Sequence, residues 1–223
     1  MTVATPRPAA TVVVVRDAAD GFEVLMVRRN DEVAFMAGAY VFPGGRVDDA
    51  DLASAHGDAT ASYRLAAARE LEEEAGLRVD PSDLVLIAHW VTPEVEARRY
   101  DTRFFLVRAP NGQQARHDHG ETTELAWMTP REAIERCERG EIMLPPPTWT
   151  TLKRMQRHGN VNEVFEWAGT VAIPRVQPQL IEEDNRRMLT LPGDPTYPTI
   201  EGWDVPEDTR FLLQDGRWRP VKQ

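Results

Sequence analysis

Residues 69–77 read Arg-Glu-Leu-Glu-Glu-Glu-Ala-Gly-Leu, and this stretch does most to decide the fold. It closes a helical pattern that begins at Ser62 and ends at Gly76, because glycine is a common residue just beyond a helix. Glu70, Glu73 and Glu74 stand at i, i+3 and i+4, so they share one helix face. Like charges at that spacing repel each other, and a bound divalent cation such as magnesium would offset the repulsion.

The other side of this predicted helix carries residues suited to packing. The helical period places Leu65, Ala68, Leu71, Glu72 and Ala75 together, opposite the three glutamates. We therefore expect one face of the helix to pack against the rest of the protein. The acidic face would then be available for chemistry.

Short β-branched and apolar runs predict strands on both sides of the helix. We predict strands at 11–16, 23–28, 40–42, 84–90, 103–108 and 125–128, a loop at 46–61, and helices from Thr129 to about Gly140 and at 148–158. Beyond these, the chain is turn-rich, with a hairpin around Asp215-Gly216. We expect residues 1–147 to form the core and residues 148–223 an extension packed on it, or one domain overall.

Composition limits the classes of protein to consider. The 223 residues are 42% hydrophobic and 28% charged, which is typical of a soluble globular protein. The net charge of −10 argues against general affinity for nucleic acid or for anionic membranes. We also find no apolar run near the ~20 residues of a membrane span and no secretory signal core. The single cysteine, Cys137, excludes an internal disulfide, and together these features predict a cytoplasmic protein.

Two glycines upstream of the acidic helix complete a recognisable pattern. Gly44-Gly45 followed by Arg69 to Leu77 resembles the signature of the Nudix hydrolases. That signature is a glycine, a carboxylate six residues on, and an Arg-Glu-apolar-any-Glu-Glu-any-Gly-apolar helix, and the helical half matches at every specified position. The resemblance implies an α/β protein, a Nudix-type α/β/α sandwich around a mixed β-sheet. It also implies Mg²⁺- or Mn²⁺-dependent cleavage of a nucleoside diphosphate linked to another moiety.

The resemblance also assigns roles to individual residues. It implies that Glu70, Glu73 and Glu74 are metal ligands and that Gly45 contributes its carbonyl oxygen. Glu73 alternatively orients or deprotonates the attacking water, and Arg69 clamps the loop through an acidic partner. The plainer interpretation of the three glutamates is a solvated acidic face. The glycines and the spacing of the motif favour the metal site.

The spacing departs from the family pattern in one place. Asp51 lies six residues after Gly45, as the pattern requires, but Arg69 lies eighteen residues after Asp51, so about ten residues are extra. The position eight residues before Arg69 is Ala61, which cannot serve as the acidic partner. Asp48 and Asp51 are the candidates to reach Arg69 from the longer loop.

A further acidic candidate lies outside the motif. Glu121 stands six residues before Trp127, where many Nudix enzymes place another metal ligand or the catalytic base, and Glu124 is the second choice. Both are equally well interpreted as ordinary loop carboxylates.

The stretches Trp90 to Glu94 and Arg98 to Phe105 resemble the coenzyme A diphosphatase branch of the family, related to the peroxisomal acyl-CoA enzyme. The implied reaction cleaves CoA or acyl-CoA to a phosphopantetheine and adenosine 3′,5′-bisphosphate. Our candidates for substrate binding are Arg98, Arg99, Arg103 and Tyr40, the last with Phe35 and Met36 beside it. Guanidinium groups suit phosphate. Pairing of the arginines with nearby acids, and burial of the aromatic side chain in the core, are the alternatives.

Two other functions stay open at the level of sequence. One is a pyrophosphatase for ADP-ribose, NADH or a dinucleoside polyphosphate, and the other is a non-catalytic Nudix-fold binding or regulatory module. In each case the partner is a nucleotide-derived small molecule. The part after Pro147 would form a cap over the substrate cleft or a dimer contact, and the latter would make the protein a homodimer. Trp203 and Trp218 are predicted to be exposed there.

Overall fold

A mixed β-sheet with helices on both faces forms the larger part of the protein, as the motif predicts. The computed structural model describes residues 3–30, 38–116, 122–183 and 185–221. Within these residues, an eight-stranded sheet is accompanied by a separate four-stranded sheet near the C-terminus. No helix in the described ranges combines the length and apolar character that a membrane span requires.

The large sheet is mixed because its central strands pair in both directions. It consists of β1 (Arg7–Ala18), β2 (Gly21–Arg29), β3 (Tyr40–Val41), β4 (Gly44–Arg46), β5 (Val85–Val91), β6 (Tyr100–Arg108), β7 (Thr122–Met128) and β8 (Arg175–Val176). The order is β3-β2-β1-β6-β5-β8, with β4 added beside β1 and β7 beside β2. β1 runs parallel to β6, and β5 runs parallel to β8, whereas the other pairs are antiparallel.

Strand alternation produces a core on each face of this sheet. On one face, Val12 and Val14 of β1 pack with Leu71 and Ala75 of helix α2 (Ala59–Ala75). On the other face, the core includes residues of α3 (Pro130–Glu138), α4 (Pro146–Met155) and α5 (Val161–Thr170). Successive residues of β1 from Val12 to Val15 therefore pack alternately into the two cores, as the two-residue period of a strand requires.

The segment predicted as a loop, residues 46–61, is partly helical, so that prediction is wrong there. Helix α1 (Asp49–Ser54) follows β4, and the Asp51 carboxylate accepts a hydrogen bond from the Asp48 backbone N–H at 2.9 Å. Such a local bond at the first turn stabilises a short helix that composition alone would not predict. Asp51 is only 5% exposed, so its carboxylate lies in the interior.

Helix α2 begins three residues earlier than predicted, because Asp58 caps it. The Asp58 carboxylate accepts hydrogen bonds from the backbone N–H groups of Thr60 and Ala61, at 2.7 and 3.1 Å. The predicted end is confirmed, since Gly76 has a left-handed φ of +65° and caps the C-terminus.

The packed face of α2 is rotated from the predicted one. Ala66, Ala67 and Glu74 are buried, whereas Glu72 is exposed and pairs with Arg78 at 2.6 Å. Glu74 is buried because its carboxylate is hydrogen-bonded to the backbone, which the helical period could not reveal. The acidic face is consequently not uniformly solvated.

The part of the chain after Pro147 contains more regular structure than predicted. Helix α4 confirms the predicted helix at 148–158 in the main, but helix α5 was missed although Asn160 and Glu163 form its start. Both helices contribute to the core of the large sheet. The division of the chain at residue 147 stays a prediction.

The small sheet is formed by the last four strands of the chain. Its strands are β9 (Gln179–Glu183), β10 (Arg186–Thr190), β11 (Arg210–Gln214) and β12 (Arg217–Pro220), in the order β12-β11-β10-β9. The predicted hairpin is confirmed, with positive φ at both Asp215 (51°) and Gly216 (73°), as a tight hairpin turn requires.

The predicted exposure of Trp203 is wrong. The ring packs edge-on against Trp90 with centroids 5.8 Å apart, and the residue is 8% exposed. Trp218, in β12, is half-buried against the same core.

Candidate active site

Arg69 is the centre of the acidic site. Its Nη2 donates to Asp51 Oδ2 at 3.0 Å and to the Arg46 carbonyl at 2.9 Å, while its Nε lies 3.4 Å from Asp51 Oδ1. Asp48 is more distant, 3.7 Å from Nη2, and is 54% exposed. Asp51 is therefore the principal acidic partner of Arg69, despite the ten extra residues between them.

The same guanidinium group also holds two of the glutamates. Arg69 Nη1 donates to Glu70 Oε1 at 2.8 Å and to Glu73 Oε2 at 2.9 Å. Partial burial disfavours the charged guanidinium, but hydrogen bonds to Asp51 and Glu70 outweigh this effect and raise the pKa of Arg69 above its usual range. Arg69 consequently stays charged at any physiological pH.

The Gly44-Gly45 pair lies where side chains would meet β1 at position 44 and the Glu70 carboxylate at position 45. A Cβ at position 44 would collide with backbone atoms of Ala10 and Thr11 in β1, and a Cβ at position 45 would collide with the Glu70 carboxylate. The Gly44 N–H donates to Glu74 Oε2 at 2.9 Å. The two glycines thus allow β4 to lie directly against the acidic face of α2.

These residues line one side of a cavity of about 580 Å³. The acidic side is formed by Gly44, Gly45, Arg46, Asp48, Arg69, Glu70, Glu73 and Glu74. Much of the remaining wall is apolar and comes from both sheets and from the start of α4; it includes Phe42, Trp90, Phe104, Pro145, Pro146, Pro147, Pro178, Leu189 and Trp218. A cavity of this size is typical of small-molecule sites.

The chemistry of the acidic side fits a hard divalent cation. Glu70, Glu73 and Glu74 supply carboxylate oxygens, and the Gly45 backbone lies against the Glu70 carboxylate in a space that a Cβ would fill. Among the described residues, no three acidic, cysteine or histidine side chains meet at one point. The carboxylates are instead shared with Arg69 and with the Gly44 amide. Their assignment as metal ligands stays a prediction.

Comparison with known proteins decides the family. A family model of the NUDIX domain matches residues 5–151, which is more than half of the chain. The chain belongs to the Nudix family. It is a Nudix hydrolase, and its substrates are nucleoside diphosphate derivatives, so the non-catalytic alternative is not supported.

The individual Nudix proteins that this chain resembles have low sequence identity to it. The acyl-coenzyme A diphosphatase NUDT19 of Xenopus laevis is 22% identical over 79% of this chain and 72% of that protein. Its human counterpart is 24% identical over 89% of this chain and 80% of that protein. Among solved structures, the NUDIX hydrolase from Alicyclobacillus acidocaldarius is 26% identical, with a TM-score of 0.68 over 78% of this chain and all of that one.

The predicted substrate-binding arginines do not gather in the Nudix cavity. Arg99 is 6% exposed and donates to the carbonyl oxygens of Thr92 and Ala4 and to the Gln177 side chain, so it holds the fold together. Arg98 is exposed in the loop between β5 and β6, other residues of which line the cavity.

Arg103 lies on the face of the sheet that packs against α2, and it is not among the described residues that line the cavity. Thr102 and Phe104, its neighbours in β6, line the cavity, whereas Arg103 lies over the Tyr63 ring of α2, with its guanidinium carbon 5.1 Å from the ring centroid. Strand alternation places adjacent residues on opposite faces. A direct contact between Arg103 and substrate is therefore disfavoured.

Tyr40 is also absent from the described cavity wall. It is 4% exposed, and burial together with a hydrogen bond to Glu124 raises the pKa of Tyr40 to about 12. Glu124 is thereby engaged with Tyr40 rather than with the acidic face. Glu121, the preferred candidate for a further ligand or base, lies outside the described residues, as do Phe35 and Met36.

Arg29 is a basic residue of the cavity wall that the sequence did not single out. Arg29 lines the cavity at the end of β2, and its buried Nε has no hydrogen-bond partner among the described residues. A register shift in the pairing of β2 with β7 falls between Arg28 and Arg29. The extra residue of this irregularity, Thr123, lies in β7 rather than in β2, so the sequence around Arg29 carries no signal of its place in the cavity wall.

Proposed function

We propose that this Nudix hydrolase is a CoA or acyl-CoA diphosphatase that uses Mg²⁺ or Mn²⁺. The reaction adds water across the diphosphate and yields a phosphopantetheine, acylated or free, and adenosine 3′,5′-bisphosphate. The observation that carries this proposal is the cavity itself, in which an acidic side adjoins a long apolar wall. The names of the Xenopus and human relatives support the same substrate class.

The substrate is amphipathic in the same sense as the cavity. Its diphosphate needs charged and hydrogen-bonding groups, whereas the pantetheine arm and acyl chain offer largely uncharged surface. The arginines that line the cavity, together with a divalent cation held by the carboxylates of α2, would suit the former, and Trp90, Phe104 and the prolines suit the latter.

The residues of α2 would divide the chemical work. Glu70, Glu73 and Glu74 would hold the divalent cation, which neutralises developing charge on phosphate and acidifies water. Glu73 is 57% exposed, so its carboxylate is accessible for accepting a proton from the attacking water. Arg69 would fix the glutamates relative to β4 through its bonds to Asp51 and the Arg46 carbonyl. The attack of water on phosphorus forms one P–O bond and breaks the bridging P–O bond of the diphosphate, which releases a phosphopantetheine and adenosine 3′,5′-bisphosphate.

A glutamine substitution tests the proposed role of Glu73. We expect Glu73→Gln to lower kcat by at least about 100-fold, the usual scale for losing a proton acceptor, with release of adenosine 3′,5′-bisphosphate measured by chromatography. The matched control is Glu72→Gln, since Glu72 is the adjacent exposed carboxylate and pairs with Arg78 away from the cavity. Unchanged hydrolysis by the Glu73 variant would overturn the site assignment.

The substrate assignment needs a separate measurement on the unmodified protein. A panel of CoA, acetyl-CoA, ADP-ribose, NADH and diadenosine polyphosphates, each with Mg²⁺ and with Mn²⁺, gives the order of kcat/KM. We expect a CoA species to lead. Faster turnover of ADP-ribose, NADH or a dinucleotide than of every CoA species would contradict the proposal.

A further inference from the structure

The C-terminal sheet contributes to the apolar wall of the cavity. Pro178 before β9, Leu189 in β10 and Trp218 in β12 all line it. These residues lie beyond residue 151, where the match to the family model ends. The catalytic side of the cavity is therefore built from the family domain, while this part of the wall is built from the segment that follows it.

Trp218 is held toward the cavity by the β11–β12 hairpin. It pairs with Leu213 across the hairpin, and its strand neighbours Arg217 and Arg219 are exposed on the other side. The tryptophan is only half-buried, unlike Trp90 and Phe104, which are 3% and 6% exposed. Apolar surface of the Trp218 side chain is therefore still available to a ligand.

The chemistry of this wall selects the kind of group that it can hold. Proline, leucine and tryptophan side chains offer no charge and little hydrogen bonding, so they suit a hydrocarbon group and not a phosphate. In an acyl-CoA, the acyl chain lies at the opposite end of the molecule from the nucleotide. We infer, on the basis of the proposed function, that Trp218 and Leu189 bind the acyl chain and favour acylated over free CoA as the substrate.

Truncation of Trp218 tests this inference through a ratio of substrates. We expect Trp218→Ala to lower kcat/KM for octanoyl-CoA about tenfold, the effect of losing roughly 50 Å² of apolar contact, and that for free CoA by less than about twofold. Trp218→Phe should recover most of the loss, because an apolar ring is kept. Arg219→Ala is the matched control on the same strand and should leave the ratio unchanged.

The principal alternative to the acyl chain is the adenine ring of the substrate, stacked on Trp218. In that case Trp218→Ala would lower kcat/KM equally for octanoyl-CoA and CoA, and the inference would be overturned. If the unmodified protein hydrolyses no CoA species at all, the proposed function fails instead. Hydrolysis of CoA species with an unchanged ratio in the variant refutes only the acyl-site inference.

A labelling experiment on the unmodified protein covers the case in which the alanine variant does not fold. Octanoyl-CoA that carries a diazirine at the end of its acyl chain is mixed with the protein in the presence of EDTA, which prevents hydrolysis, and the complex is irradiated. We expect peptides containing Leu189 or Trp218 to be labelled, with competition by unlabelled octanoyl-CoA. Labelling confined to other parts of the chain would overturn the inference.

Discussion

Replacing Asp51 by asparagine removes the charge that anchors Arg69 and should destabilise the protein measurably. Arg69 donates to Asp51 at 3.0 and 3.4 Å, and the two side chains are 26% and 7% exposed. A charge-assisted hydrogen bond contributes about 1.5–3 kcal/mol, and the longer of these two is weak. Asparagine keeps one neutral acceptor, so we expect a net loss of about 2 kcal/mol.

Asp48 provides the internal control for this prediction. Its carboxylate is 54% exposed and 3.7 Å from the same guanidinium group, so its ion pair should contribute at most about 0.5 kcal/mol. Asparagine is also as good as aspartate at the start of a helix, so Asp48→Asn should leave α1 intact. The two variants remove the same charge from two positions, three residues apart, in the first turn of one short helix.

The assay is thermal and urea-induced unfolding in EDTA, which keeps metal binding out of the measured free energy. For a protein of this size, 2 kcal/mol corresponds to a fall in Tm of about 4–8 °C. We expect that fall for Asp51→Asn and a change within about 2 °C for Asp48→Asn. Equal destabilisation by the two variants, or none by Asp51→Asn, would refute the assignment of Asp51 as the principal partner.

Two further predictions concern the glycine pair and a buried carboxylate. Gly45→Ala should lower kcat at least about 100-fold while the protein stays folded by circular dichroism, because the new Cβ would displace the Glu70 carboxylate; activity within tenfold of wild type would contradict this. Burial opposes ionisation of Asp194, but hydrogen bonds, chiefly from Arg210, outweigh it and lower the pKa of Asp194 from 3.8 to about 2. The ionised carboxylate therefore stabilises the fold by about 2 kcal/mol above roughly pH 5, and this contribution is lost as the pH falls toward 2. Urea unfolding of Asp194→Asn should show that deficit at pH 7 and little of it near pH 2; a deficit independent of pH would count against the argument.

The acidic helix was predictable because its chemistry is local in sequence. The charges of Glu70, Glu73 and Glu74 fall on one face through the helical period alone, and Gly76 ends the helix where expected. The strands and the final hairpin were likewise signalled by short-range patterns. What the period could not show is that the Gly44 amide binds the Glu74 carboxylate, since that contact joins residues thirty positions apart.

The cavity wall was less predictable because it depends on which strand face each residue occupies. Arg98, Arg99 and Arg103 form one cluster in sequence, but Arg98 is exposed, Arg99 is buried, and Arg103 packs on the Tyr63 ring of α2. Arg29 lines the cavity from the end of β2, and Trp218 lines it from the second sheet. Neither position is marked by a periodic pattern in the sequence.

The pairing of Asp51 with Arg69 also bears on how this protein tolerates changes in chain length. The segment between them leaves the site along α1 and returns at the cap of α2, and both of its ends are fixed by the same guanidinium group. Between these anchors, Leu52 is exposed, and a Cβ at Gly57 would meet no atom within 4 Å. The protein can therefore accommodate additional residues in this segment without altering the distance between Asp51 and Arg69. The number of residues between the two parts of the motif reflects the length of this segment, and the geometry of the site does not depend on it.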